Sequence, residues 1–411
     1  MPTLNVQHNL SEQELKKAII GLTISGGLEG EVMETLAKAC TCDEAIKEPG
    51  TPAMKGLFRL FRREYAEAVK WILQYVQEVV TEPLQKSETN FLRRPLTADE
   101  IRQIQAAIRE RYHYVLAQMA PGQFRPSEEI LNRWKALGII DRSVTPASFA
   151  LTVSTDGQLI HNAFLFGKLF EAVETGQTFD EVMKAAKELP LLKPDLNAIA
   201  VAEQQTGNYI SAFGDNLAKE CGQLATARNR DIVRQMAVDF HSKKLHVTDA
   251  AGEGTGNIVE TWQGFASELA GKFQDYERDW DRIAFFEIHD AKGQGRCLDL
   301  MEKHGANRLV YKMPLPTACP QCRYLYLMPD GTPRLFKLAE MMSWGNNIGR
   351  KPLPVKGGVV HIEKEGKEPS RPDNAETLRS VSGQVHPFCQ CTGPHLFTHH
   401  EPWADKAVIP E

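Results

Sequence analysis

The distribution of proline is the sequence feature that most constrains how this chain can fold. The chain has 23 prolines, yet none lies between Pro194 and Pro314, and 13 of them lie from Pro314 to the end. Because proline interrupts a helix interior, the proline-free stretch can hold long helices, whereas the last hundred residues favour turns and short strands. We therefore expect a mainly α fold with a small C-terminal α+β domain.

Composition limits the class of protein. The chain has 411 residues, of which 42% are hydrophobic, enough for a globular protein of two or three domains. A formal net charge of −5 argues against a surface built throughout to coat nucleic acid and leaves room only for a local basic patch. The N-terminus lacks a basic stretch followed by an apolar one, and the apolar runs fall short of the roughly 20 residues that a membrane helix needs. We expect neither export nor a membrane span.

Hydrophobic periodicity predicts two long helices in the first half of the chain. One apolar stripe recurs at three- and four-residue steps: Phe58, Phe61, Tyr65, Val69, Ile72, Val76 and Val79. A second helix should start at Thr97, whose hydroxyl can cap it while Glu100 reaches back. Its buried face is expected to hold Ile101, Ile104, Ile108, Tyr112, Val115 and Met119. Thr178 with Glu181 predicts another capped helix.

The proline-free stretch predicts further long helices. Residues 196–240 read as one or two helices in which Gly207, Gly214 and Gly222 share roughly one face, so we expect a close helix–helix approach there. Another helix should end at Gly305. Beyond it, RLVYKM predicts a short strand, and residues 323–338 predict a hairpin around a Pro-Asp-Gly turn.

Two short phrases near the C-terminus concentrate the cysteines. CPQC spans Cys319 to Cys322, and HPFCQC contains His386, Cys389 and Cys391, so these phrases hold four of the eight cysteines. Two thiolates separated by two residues can reach one ion from a tight turn, as tetrahedral zinc requires. The spacing favours Cys319, Cys322 and His386 as ligands, with either Cys389 or Cys391 as the fourth.

Three interpretations of these cysteines compete. A structural zinc would close a loop of about 65 residues in a region with too little apolar material to fold well alone, and we favour it. A catalytic zinc would need an open position and a general base, for which the region offers only Glu363, Glu365 and Glu368 in a polar run. The third interpretation is reduced cysteines without metal, or a redox pair. The isolated Cys221 and Cys297 are expected in the core.

Other polar groups suggest weaker sites. Glu287, His289 and Asp290 could form an acid–base set, but helical spacing places the two carboxylates side by side and turns His289 away. We favour buried or ion-paired carboxylates. KGLFRLFRREY, residues 55–65, mixes basic and aromatic residues as a nucleic-acid-binding helix would, and we favour the solvated face of an amphipathic helix. The last histidines should belong to an exposed polar end: His395, His399 and His400.

From residue 196 to about 395 the chain resembles the phage head morphogenesis family named for the Mu F protein, whose members are also called minor head proteins. The resemblance rests on FFEIHDAKGQG with Phe286, Glu287, Gly293 and Gly295, then RLVYKM, CPQCRYLYLMPDG and HPFCQC. WGNNIGRKP and QTGNYISAFGDNLAKE are similar to phrases of the family. The chain departs from the family pattern at Gln390, where Arg is frequent, and at Phe286, where Thr often precedes the glutamate.

The resemblance implies a structural virion component, not an enzyme. Such a protein would lie in the capsid interior at the portal vertex in one or a few copies, after assembly in the host cytoplasm. Its partners would be the portal protein or the major capsid protein, with contact to packaged DNA as a further expectation and no membrane.

We accordingly divide the chain into four regions. Residues 1–195 are a helical region for docking on the portal or capsid, 196–310 the helical part of the family core, 311–395 a β-rich zinc-knuckle domain, and 396–411 a tail. One alternative is a metal-dependent hydrolase or nuclease with Glu287 as base. Another is a zinc-type DNA-binding module whose basic residues would be Arg323, Arg334, Lys337, Arg350 and Lys351.

Overall fold

The computed structural model describes residues 51–85, 96–152, 158–241, 256–314, 320–343, 382 and 391–408. Its elements in chain order are α1 (Pro52–Gln85), α2 (Ala98–Met119), α3 (Glu128–Ala136), α4 (Pro146–Thr152), α5 (Leu159–Lys168), α6 (Phe170–Glu174), α7 (Phe179–Ala186), α8 (Lys193–His241), α9 (Gly256–His304), β1 (Leu309–Met313), α10 (Pro320–Tyr326), β2 (Phe336–Lys337), α11 (Leu338–Ser343), β3 (Thr392–Leu396) and a 3-10 turn (Ala404–Lys406).

The prediction of a mainly α chain with a small C-terminal β element is confirmed. Helices hold 72% of the described residues, and the strands form one three-stranded sheet. No helix in the described ranges combines the length and the apolar character that crossing a bilayer requires. The first 50 residues of the predicted N-terminal region lie outside the described residues.

Helices α1, α2, α8 and α9 form a bundle in which each packs against two of the others. Its centre is aromatic: the Trp280 ring on α9 lies 5.2 Å from Phe61, 6.0 Å from Tyr112 and 5.5 Å from Phe213, measured between centroids. The apolar stripes predicted for α1 and α2 face this core. Helices α1 and α2 precede residue 195, whereas most of α8 and all of α9 follow it. Residues before and after position 195 therefore contribute to one hydrophobic core.

The glycines of α8 lie where α2 and the loop after it approach, which confirms the predicted close packing. A Cβ atom added at Gly214 would lie 2.9 Å from Cβ of Tyr112, and one at Gly222 would lie 2.1 Å from the Gln105 amide nitrogen. The ring of Phe124 occupies the corresponding space at Gly207. The absence of side chains at Gly214 and Gly222 lets α2 lie close to α8, and the absence of one at Gly207 leaves room for the Phe124 ring.

The predicted helix boundaries also hold. Thr97 accepts a hydrogen bond from the Glu100 backbone while the Glu100 carboxylate accepts one from the Thr97 backbone, and Thr178 and Glu181 form the same reciprocal pair. At the end of α9, Gly305 takes a φ of 85°, and its N–H donates to the Met301 carbonyl. These contacts satisfy backbone groups that helix ends leave without partners.

Helix α5 crosses α9 with almost no space between the two backbones. A Cβ atom added to Gly295 of α9 would lie 2.0 Å from the Phe164 carbonyl oxygen, and one added to Gly167 of α5 would lie 2.0 Å from the Lys292 carbonyl oxygen. Real Cβ atoms do not approach so closely, so the crossing requires glycine on both helices.

The small sheet is attached to the end of α9. Its strand order is β2-β1-β3, with both pairs antiparallel, and Val310 on β1 is opposite Phe336 and Leu396. Beneath it lies a small apolar cluster, whose buried members are Cys297, Leu300, Val310, Leu338 and Met341. The short strand predicted from RLVYKM is confirmed as β1, and it is the central strand of this sheet.

The prediction of a hairpin over residues 323–338 is wrong in its first half. Residues up to Tyr326 form helix α10, and only a bridge between Leu327 and Pro333 and a turn with Gly331 at a φ of 85° remain of the hairpin. Proline at the first helical position favours a helix start at Pro320, and Cys322 and Tyr326 are both buried one turn apart. A short apolar run is compatible with the periodicity of a helix or of a strand, and the burial of Cys322 and Tyr326 favours the helix.

We predict that Gly295→Ala lowers the free energy of unfolding by about 1–3 kcal/mol, as overpacking does, because the backbone at Phe164 cannot yield without separating α5 from α9. Gly271→Ala, in the same helix, is the matched control: its added Cβ has nothing within 4 Å, and alanine is favoured over glycine in a helix by about 1 kcal/mol. Denaturant unfolding followed by circular dichroism measures both, and equal effects would contradict the close contact.

Candidate functional site

Two of the predicted zinc ligands belong to one small cluster of side chains at the sheet. Cys322 in α10 is 1% exposed and forms a small cluster with Tyr326, one turn later. Cys391, directly before β3, packs against that cluster together with Phe336 of β2. The remaining candidates lie outside the described residues: Cys319, His386 and Cys389.

The central strand brings these two cysteines together although 69 positions separate them in the sequence. Thr392 of β3 pairs with Met313, the last residue of β1, so Cys391 stands beside the end of that strand. Helix α10 packs against the same strand. The described residues contain no group of three or more His, Cys, Asp or Glu side chains placed to hold a metal; the sulfur atoms of Cys322 and Cys391 are two donors of the kind zinc prefers.

A buried lysine lies over Tyr326 of this cluster. Lys312 on β1 is 2% exposed; its ammonium donates to the Ser382 carbonyl oxygen (3.3 Å) and lies 5.3 Å from the centroid of the Tyr326 ring. Sequence reasoning missed this residue. The alternation of strand residues in LVYKM nevertheless indicated its burial, because it places Lys312 on the same face as the buried Val310.

A second polar group lies between α8 and α9. The Thr206 hydroxyl donates to a Glu287 carboxyl oxygen (2.7 Å), and the Gln294 amide donates to Asp290 (2.9 Å). Glu287 and Asp290 are each 3% exposed. The His289 ring instead packs on Phe285, 4.6 Å between centroids. The predicted buried carboxylates, with His289 turned away, are confirmed.

Burial changes the acidity of this group. It raises the pKa of Glu287 to about 8, opposed by the Thr206 hydrogen bond and reinforced by the charge of Asp290. Burial also raises the pKa of Asp290 to about 6, although the Gln294 hydrogen bond and the positive charge of Lys312 both lower it. On α8, burial raises the pKa of Glu203 to about 7. The helices enclose Glu287 and Asp290, so both carboxyls lie in the interior of the bundle.

The aromatic residues of α1 face the bundle core, whereas Arg59 and Arg63 are exposed. Phe58, Phe61 and Tyr65 are buried in the bundle core, so their rings cannot stack on bases. Arg62 forms an ion pair with Asp281 of α9, and Arg63 is exposed. The amphipathic-helix interpretation of residues 55–65 is confirmed.

A further group of charged residues surrounds the buried Phe170 of α6. The Lys292 ammonium lies 5.0 Å and the Arg296 guanidinium 4.5 Å from its ring centroid, and these cations pair with Glu174 and Glu171. No sequence pattern marks this cluster, because its members come from elements more than a hundred residues apart.

The isolated cysteines and the C-terminal histidines differ in burial. Cys221 and Cys297 are buried, as predicted, and burial raises the pKa of each thiol to about 12. His399 and His400 are exposed. The expectation of an exposed His395 is wrong: its ring lies 5.3 Å from Tyr311 and 5.7 Å from Phe170, because β3 carries it into the contact with α6.

Comparison with known proteins adds no relative. No protein-family model, no curated protein and no solved structure matches this chain. The interpretation of the site therefore depends on its residues and on the resemblance of its motifs.

We predict that the free energy of unfolding falls as the pH rises from about 5 to 8. A carboxyl whose pKa is raised in the folded state binds its proton more tightly there than in the unfolded chain, so stability is lost between the ordinary pKa of 4.5 and about 8 for Glu287. Each pKa unit corresponds to about 1.4 kcal/mol, so Glu287→Gln should remove a few kcal/mol of this dependence.

Thermal and denaturant unfolding of the two chains across that pH range measures the effect. Asp290 and Glu203 remain in the variant, so part of the slope should persist. Glu188→Gln, at an exposed carboxylate on the chain segment before α8, is the control and should leave the slope unchanged. Parallel pH profiles of Glu287→Gln and the unmodified chain would rule out the assigned burial effect.

Proposed function

We propose that this chain is a phage minor head protein, a structural component that binds near the portal vertex and acts in head assembly or in DNA packaging and delivery. The proposal is supported by contacts between the motifs in the folded chain. Thr206, from the QTGN phrase, is hydrogen-bonded to Glu287, from FFEIHD. RLVYKM forms the central strand, and Cys391 packs against the cluster of Cys322 and Tyr326 beside it. Motifs spread over about two hundred residues thus form one connected unit, as a shared family core would.

The cysteine phrases support a structural zinc centre in that unit. Cys319, Cys322 and His386 would supply three ligands, and the packing of Cys391 against the Cys322 cluster favours Cys391 as the fourth. A zinc with four protein ligands would stabilise the small domain by closing the loop between the two phrases. The zinc-stapled α+β domain depends on this proposal.

The described geometry favours an interaction protein over an enzyme. Glu287, the best candidate base for a metal-dependent hydrolase, is 3% exposed and bound by Thr206. A DNA-binding zinc module is supported less, since the Arg334 guanidinium donates to the Leu327 carbonyl, while Arg350 and Lys351 lie outside the described residues. The partners we propose are the portal protein or the major capsid protein, inside the virion, with packaged DNA as a further contact.

We predict that the full-length chain binds one zinc, that Cys391→Ser lowers the zinc content, and that Cys389→Ser leaves it nearly unchanged. Metal analysis of protein purified without chelator measures the stoichiometry, and the cobalt-substituted chain reports the number of thiolates by its absorption. Cys221→Ser, at a buried cysteine of α8, is the control that should keep its zinc. A full zinc complement in Cys391→Ser with loss in Cys389→Ser would reverse the assignment of the fourth ligand.

We predict that the chain is a minor constituent of phage particles. Quantitative mass spectrometry of particles produced from the genome that encodes it should find a few copies per particle, far fewer than the major capsid protein. A stop codon early in the reading frame should reduce the yield of DNA-filled heads, with rescue by the gene supplied in trans. Absence of the chain from both procapsids and filled heads would refute the proposed function.

A further inference from the structure

A cleft lies between α5, α7 and the chain segment before α8. Its volume is about 270 Å³, close to the lower end of the range for small-molecule sites, roughly 300–1,000 Å³. Every residue that lines it belongs to the described part of the chain. The cleft is separate from the cluster of Cys322 and from the polar group around Glu287, whose members do not line it.

The wall that α5 contributes changes from polar to apolar along one helix face. Gln158, His161 and Asn162 come from the N-cap and the first turn of the helix, and Leu165 follows one turn later. Positions three or four apart share a face of a helix, so these residues form one row. The cleft therefore has polar side chains at the end where α5 begins.

The wall formed by α7 and the segment after it is mainly apolar. Met183 of α7 contributes to it and is 4% exposed, and Leu189 and Leu191 follow from the segment. Phe179 at the start of α7 packs on Phe166 of α5, 5.8 Å between ring centroids, which holds the two helices together. An aliphatic chain can lie against this wall.

The titratable residues that line the cleft favour an anion. Lys187, at the C-cap of α7, is exposed, and the lining residues, all of them described, include no aspartate or glutamate. No described residue is seen hydrogen-bonded to the His161 imidazole. Burial lowers the pKa of His161, so near pH 7 the ring is neutral and has one N–H to donate.

We infer that this cleft binds a small amphipathic anion, namely a carboxylate that carries an unbranched aliphatic chain. The chain would lie along Leu165 and Met183, while the carboxylate would accept a hydrogen bond from His161 and pair with Lys187. The inference depends neither on the proposed virion function nor on the proposed zinc.

The two ends of such a ligand would contribute in different ways. Each methylene group that leaves water for an apolar wall contributes a free energy that corresponds to about a fourfold gain in affinity. A hydrogen bond to an ionised acceptor is stronger than one to a neutral acceptor. The cleft should therefore prefer a longer chain until its volume is filled, and a carboxylate over the corresponding alcohol.

Octanoate is the probe, and the methyl resonance of Met183 in the full-length chain with labelled methionine methyls reports its binding. Met183→Leu assigns this resonance. We expect a saturable shift, with an affinity that rises about fourfold per methylene from butanoate to octanoate and levels off for chains that exceed the cleft. 1-Octanol should bind about tenfold more weakly, and inorganic phosphate should leave the resonance unchanged.

Three variants locate the carboxylate. His161→Leu removes the ring N–H and should weaken octanoate binding by about 10–100-fold, as the loss of a hydrogen bond to a charged group does. Lys187→Gln should weaken it by up to about fivefold, as the loss of an exposed ion pair does. Lys184→Gln is the matched control: this lysine of α7 is also exposed but does not line the cleft, so its variant should bind octanoate as the unmodified chain does.

Circular dichroism checks that the His161→Leu chain keeps its helices. If it does, unchanged octanoate affinity in this variant overturns the inference. If it does not, the two exposed lysine positions decide, and equal octanoate affinity in Lys187→Gln and Lys184→Gln overturns it. A Met183 resonance that octanoate does not shift also overturns it, as does equal binding of octanoate and 1-octanol, which would mean apolar adsorption only.

Discussion

Trp280 is the side chain through which the four helices of the bundle meet. Its ring contacts Phe61 and Tyr65 of α1, Tyr112 of α2 and Phe213 of α8, and its N–H donates to the Phe61 carbonyl oxygen. An aromatic ring of this size buries a large apolar area and also satisfies its one polar atom. The orientation of α9 is thereby set, and α9 carries both the polar group around Glu287 and, at its end, the small sheet.

The end of α9 is held by charges rather than by a large apolar surface. The Lys168 ammonium of α5 binds Asp195 at the start of α8 and Glu302 near the end of α9, while Lys292 and Arg296 bind the acidic residues of α6. Buried ion pairs contribute less to stability than their Coulomb energy suggests, because desolvation opposes it. They do penalise other arrangements strongly, since a shift of one helix would leave a buried charge without its partner.

The small sheet illustrates why a metal would be useful here. Its apolar cluster consists of a few side chains between α9 and β1, and a cluster of this size stabilises little on its own. Lys312 on the central strand is buried, and its ammonium donates to the Ser382 carbonyl oxygen. The proposed structural zinc would add binding energy that this small cluster does not supply.

The sequence by itself determined the features that depend on near neighbours or on a regular period. The capping pairs at Thr97 and Thr178, the end of α9 at Gly305 and the buried stripes of α1 and α2 involve residues within a few positions of one another, so their physics is local. The two cysteine phrases were likewise visible. Only the tertiary structure decided that Cys322 lies in a helix, that Thr206 binds Glu287, and that Gly167 and Gly295 touch. Each of these depends on which distant segment covers a residue, and burial by a distant segment leaves no periodic mark in the sequence.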